Sequence, residues 1–211
     1  MRVVPLEEIP ALGDDEDAVA LTFDDAFANF TTEALPVLRD LDLPSTLFVP
    51  TGHVGATNDW GGHAQPGIPS LPLLDWDGLE AAVSSGVTLG AHTVTHPHLT
   101  RCGAAQVEDE LLEAREELAA RTGARPLALA YPYGDADERV RDQARRLYRL
   151  ACTTRFAVLE GTPDPMDLPR LDAFYFRDAR RLQSFGSRSF LAWVRWRDRL
   201  RSLRRVVGGR G

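Results

Sequence analysis

Two adjacent carboxylates, Asp24 and Asp25, close the apolar run over 18–23, and three of the five histidines, His92, His96 and His98, fall within seven residues further on. Consecutive residues at a strand end point to different sides, so the two acids can hold different tasks: one on a metal ion, the other free as a base. Loop acids capping the following helix are the plainer alternative. The histidines lie in GAHTVTHPH over 90–98, where Pro97 argues against a helix and Thr93 stands in place of the Glu of an H-E-x-x-H peptidase motif. A strand end turning into a loop still brings two imidazoles to one ion, with a third ligand available among the acids. A third cluster is Ala130-Tyr131-Pro132-Tyr133-Gly134. Pro132 and Gly134 bracket Tyr133 and fix its backbone where an N–H can meet a developing oxyanion, although an ordinary strand-to-helix turn has the same composition.

These clusters need strands that end side by side. Apolar runs over 18–23, 45–49, 87–91, 127–131, 149–153 and 168–176 read as strands. Helical patterns fall between them over 31–41, 77–85, 103–122 and 136–147. In the longest helix, Val107, Leu111, Ala114 and Leu118 form the inner face, and Glu108, Asp109, Glu110, Glu113, Glu116 and Glu117 read as a solvated outer face. The stretch 51–72 is rich in Gly and Pro, and a loop of that length is often functional. Such alternation predicts a parallel sheet covered by helices, open or closed into a barrel, with sites at the C-terminal strand ends.

The 211 residues suffice for one domain with a sizeable core. Every cation is Arg, which excludes lysine Schiff-base chemistry and the lysine-dependent phosphate loop. Cys102 and Cys152 are too far apart in sequence for a C-x-x-C pair and read as free thiols. Neither a secretory signal nor an apolar span is evident, so a cytoplasmic location is expected.

The ordered trio TFDD, HTVTH and YPYG resembles the polysaccharide deacetylase family, the NodB-homology or carbohydrate esterase 4 hydrolases. The flanking STLFVPTGHVG and LPRL segments add to the likeness, which covers about residues 17–176. The resemblance implies an α/β fold, a distorted (β/α)7 barrel, with a catalytic domain over 1–176. It further implies that Asp24 is the general base and that Asp25, His92 and His96 hold a divalent metal, zinc before cobalt, nickel or manganese. The Tyr133 backbone N–H would share the oxyanion with that metal. Trp60, His53 and His63 on the long loop, with Pro132 and Tyr133, are candidates for shaping a carbohydrate cleft. Thr93 and Thr95 read as supporting residues rather than nucleophiles.

Two departures from the family pattern matter. The usual third motif is Arg-x-Pro-Tyr, whose Arg pairs with the base, and Ala130 stands there instead. Arg170, in LPRL, is the expected substitute, orienting Asp24 and keeping it ionised. The family's late Leu-x-His, which protonates the leaving amine, is missing, since no histidine follows His98. His53, His63 and His98 remain as stand-ins, with water or protonated Asp24 as alternatives. General acid assistance contributes about 10²–10⁴-fold, so its loss predicts slow turnover on amides and a smaller penalty on acetate esters.

The charge of −7 is unevenly distributed. Residues 177–211 hold 11 Arg against two Asp, a balance of +9, and leave −16 on the rest. Phe190, Trp193, Trp196, Leu200, Leu203 and Val207 step by three or four and predict one apolar stripe on a basic amphipathic helix over 188–207. That extension either packs on the barrel or lies on an anionic membrane surface. The acidic body disfavours nucleic acid as a partner. The expected function is metal-dependent deacetylation of an N-acetylated amino sugar or oligosaccharide. The alternatives are a weak or inactive carbohydrate-binding descendant and a hydrolase of other C–N or acetate ester bonds.

Overall fold

Continuous apolar runs give the central strands two buried faces, with successive residues pointing to opposite sides of the sheet. The computed structural model describes residues 1–13, 16–60, 69–123 and 125–208, with the backbone alone for 179 and 201–208. Five parallel strands, β3 (Leu21–Phe23), β4 (Ser45–Val49), β5 (Thr88–Ala91), β6 (Ala128–Ala130) and β7 (Leu150–Cys152), lie side by side in chain order. They form a curled parallel half-barrel. On β4, Leu47 and Val49 face the helices while Phe48 faces the other way, and the same alternation sets Leu129 against Ala128 and Ala130.

The helix-covered face packs on α1 (Leu35–Asp40), α2 (Trp76–Ser84), α3 (Ala104–Thr122) and α4 (Glu138–Leu147) through Leu38, Leu79, Leu111, Leu118 and Val140. Asp75 and Asp137 cap α2 and α4 by accepting from Gly78 and Val140 N–H groups at 2.9 Å. The opposite face is lined by Phe48, Ala128, Ala130, Leu150 and Cys152 and closed by Leu6 and Leu168. Gly90 belongs to this close packing: a Cβ there would stand 2.4 Å from the Phe48 ring.

Four elements depart from the sequence expectations. The strand expected over 18–23 is divided, because β2 (Ala18–Val19) pairs with β1 (Arg2–Val3) while β3 pairs with β4. The helix expected over 31–41 begins as a π-turn over Phe30–Ala34 before α1. The strand expected over 168–176 shrinks to one bridge, Leu168 to Cys152, because Pro169 carries no N–H for a ladder and the chain then coils into a 3-10 turn at Ala173–Phe176. The single tail stripe is split. Phe190 and Val194 on α6 (Arg188–Gly208) are buried against Phe156, with Trp193 partly buried beside them, whereas Trp196 and Leu200 face outward. A short α5 (Ala179–Gln183) leads into α6. No helix among the described residues is long and apolar enough to cross a membrane.

Candidate metal centre and its surroundings

The backbone leaves β3 through two successive left-handed residues, Asp25 at φ 70° and Ala26 at φ 54°. This conformation is uncommon outside glycine. The sharp turn separates the two carboxylates. Asp24 meets Arg170, whose Nη1 and Nη2 donate to Oδ1 and Oδ2 at 2.6 and 2.7 Å. The Arg170 Nε donates to the Thr153 carbonyl at 3.0 Å, which fixes the plane of the fork. Burial alone would raise the Asp24 carboxyl, but the charge and hydrogen bonds of Arg170 outweigh it and hold the group at about 2.

Asp25 turns instead toward the end of β5. Its Oδ1 lies 3.3 Å from His92 Nε2 and 3.5 Å from His96 Nε2. The His92 Nδ1 is 2.7 Å from the Ala130 carbonyl, which can only accept, so Nδ1 carries the proton. In the neutral ring, Nε2 then points a lone pair at the carboxylate. Burial disfavours charging His92, yet Asp25 and Asp24 push its pKa up, while burial and His92 itself push His96 down to about 2. Asp25 Oδ1 and His96 Nδ1 are buried without a hydrogen-bond partner among the described residues. Three donor atoms that converge within 4.8 Å, beside a buried carboxylate oxygen without a hydrogen-bond partner, fit a divalent cation.

The loop carrying the imidazoles is held from three sides. Thr51 and Gly52 N–H groups donate to the carbonyls of Thr93 and Val94, and His96 N–H donates to Thr93 Oγ1 at 3.1 Å. Glu110 on α3 accepts from both Val94 and Thr95 N–H at 2.8 Å and from the Thr95 hydroxyl. Glu110 is buried at 6% exposure, which corrects its reading as part of a solvated face. Its position between Val107 and Leu111, Ala114 and Leu118, on the inner stripe, was the available signal.

Aromatic rings surround the triad. Trp60 stacks on His96 with centroids 4.2 Å apart, His53 meets Trp60 edge-on at 4.8 Å, and Tyr133 meets His96 edge-on at 4.7 Å. Tyr133 adopts φ 59°, and its carbonyl accepts from Thr154 Oγ1 at 3.2 Å. Gly134 must be glycine, since a Cβ would stand 2.2 Å from that hydroxyl and φ is 68°. Pro132 is buried beneath the turn. His98 stacks on Tyr133 at 4.1 Å, and its Nδ1 lies 3.4 Å from Asp135 Oδ2. The structure thus gathers Asp24, Asp25, His53, Trp60, His92, His96, Pro132, Tyr133 and Arg170 at one end of the sheet, while His63 lies outside the described residues. Cys102 and Cys152 are both free thiols.

Residues 12–149 match the family model for polysaccharide deacetylase. A chitooligosaccharide deacetylase of Sinorhizobium fredii is 33% identical over 114 residues, 54% of this chain and 45% of the relative. The peptidoglycan-N-acetylmuramic acid deacetylase PdaA of Bacillus subtilis is 31% identical over 134 residues, 63% of this chain and 44% of that protein. The chain therefore spans less than half the length of these curated relatives. Among solved structures, the deacetylase PplD of Streptococcus pyogenes in complex with acetate superposes with a TM-score of 0.67 at 26% identity, covering 80% of this chain and 72% of that one.

Proposed function

The chain belongs to the polysaccharide deacetylase family, and on that basis we propose that it is a metal-dependent hydrolase removing acetyl groups from an N-acetylated amino sugar or its oligomer. The observation that carries this reading is the division of labour between neighbours: Asp24 is gripped by Arg170 while Asp25 faces two imidazoles. One carboxylate is thereby kept apart from the cation site as an ionised base, and the other belongs to it.

Asp25, His92 and His96 would hold the ion, and one carboxylate with two imidazoles suits zinc, with cobalt, nickel or manganese as substitutes. Such an ion supplies Lewis acidity to the acetyl carbonyl and acidifies water beside it. Asp24 accepts the proton of the attacking water. Arg170 orients that carboxylate and keeps it charged, at some cost in basicity. The Tyr133 backbone N–H is the proposed donor to the oxyanion. Trp60, Tyr133 and His53 offer flat faces and ring edges to a sugar, and Pro132 stiffens the turn under them. The relatives named as acting on chitooligosaccharide and on peptidoglycan support an amino-sugar substrate.

A second reading rests on the sequence itself: within these 211 residues no histidine follows His98, and the Leu-x-His of the family pattern is not found among them. That favours slow turnover on amides relative to acetate esters, or a carbohydrate-binding descendant. Acetate release from N-acetylated chitooligosaccharides and from an aryl acetate, with and without chelation and in Asp24→Asn, tests both readings. Chelator-sensitive release lost in Asp24→Asn supports the enzyme, and bound metal without release from either substrate supports the binding protein.

A further inference from the structure

Among its described side chains, helix α6 carries apolar residues on a buried face and on an exposed one. Phe190 and Val194, at 2% and 1% exposure, pack into the cluster around Phe156. Trp196 and Leu200, four residues apart and therefore on one face, are 54% and 38% exposed. In the sequence the same spacing continues to Leu203 and Val207. Arg188, Arg195 and Arg199 stand exposed on this half of the helix, and Arg195 also reaches Glu160 at 2.6 Å. Toward the start of the stripe, a shallow recess of about 290 Å³ between α5 and α6 is lined by Arg180, Arg181, Ser184, Ser189 and Trp193, with Asp178 among them. Ser189 and Trp193 precede Trp196 by seven and three positions, so the recess and the stripe share one side of the helix. Leu182 on α5 is a further exposed apolar residue in this basic segment, at 54%.

We propose that this face, Trp196 and Leu200 with their flanking arginines and the recess, is a docking surface for an anionic lipid bilayer. Charge selects the occupant. The helix carries seven Arg against Asp198, so a second copy seated on the same face across a twofold axis would bring cation against cation. An anionic lipid surface neutralises those cations, and Trp196 suits the boundary where a ring meets both acyl chains and water. The acidic remainder of the chain does not cancel the attraction. Surface fields decay over about 8 Å at physiological salt, so the helix lying on the surface feels them most. The recess offers Arg180 and Arg181 to a lipid phosphate.

Sedimentation of the full chain with vesicles tests this. Binding is expected to equimolar phosphatidylglycerol–phosphatidylcholine vesicles, to weaken steeply with added salt, and to be absent from phosphatidylcholine alone. Trp196→Glu with Leu200→Glu should lower binding more than tenfold without moving the melting temperature, because both side chains are exposed. Arg188→Gln and Arg199→Gln should each lower it about fivefold. Acetate release from soluble chitooligosaccharides should be the same in all these variants. Failure to bind the anionic vesicles, equal binding to the neutral ones, or undiminished binding by the double Glu variant would overturn the proposal. So would light scattering that shows a dimer turned into a monomer by those two substitutions, since a second copy would then be the occupant.

Discussion

The Arg170 guanidinium grips the Asp24 carboxylate with two parallel hydrogen bonds, at 2.6 and 2.7 Å, between residues 146 positions apart. A fork of this kind fixes the carboxylate in direction as well as charge. Lysine cannot reproduce it. Arg170→Lys should therefore lower kcat/KM for deacetylation about 10–100-fold while leaving the metal content unchanged. Arg170→Met, which strands a partly buried carboxylate, should in addition cost about 1–3 kcal/mol in denaturant unfolding.

Removing any corner of the triad should abolish stoichiometric metal binding. Asp25→Ala, His92→Ala and His96→Ala are expected to purify without zinc by elemental analysis. Zinc at about 100 times its dissociation constant should stabilise the parent chain by about 2.7 kcal/mol, a rise of roughly 5–10 °C in melting temperature, and these variants should show no such rise.

Glu110 anchors the loop between His92 and His96 through the Val94 and Thr95 N–H groups. Glu110→Ala leaves the Val94 and Thr95 N–H groups without their acceptor and should cost about 2–4 kcal/mol. It should also weaken zinc affinity about 10–100-fold, measurable by competition with a chelating dye. Glu110→Gln, which keeps an acceptor oxygen, should recover part of both losses.

Trp60 stacks on His96 and is only partly buried. Trp60→Ala should raise KM for a chitooligosaccharide about tenfold, with a smaller change in kcat and unaltered metal stoichiometry.

Much of this arrangement was legible because strand β4 is a short continuous apolar run and helix α3 has a clear helical period, and because the chemistry sits in short runs at strand ends. Asp24–Asp25, His92–His96 and Tyr133 each lie within a turn of β3, β5 and β6. The rest depended on contacts that periodicity does not encode. Leu168 opens an apolar run, yet its neighbours Phe174, Tyr175 and Phe176 make ring contacts with one another, with Phe156, Phe185 and Phe190, and with Trp193, rather than extending the sheet. Glu110 reads as solvated only if its charge is weighed and its place on the inner face of α3 is not. The stripe on α6 reads as one line in the sequence because spacing by three or four admits a broad sector. Burial divides that sector at Trp193 and Val194.

The most direct test is acetate release from N-acetylated chitooligosaccharides by the zinc-loaded chain, beside Asp24→Asn loaded to the same stoichiometry. Zinc-dependent release by the parent, reduced at least about a hundredfold in the variant with its metal intact, is the expected result. Equal release by both proteins, or release untouched by chelation, would contradict a metal-dependent deacetylase with Asp24 as its base.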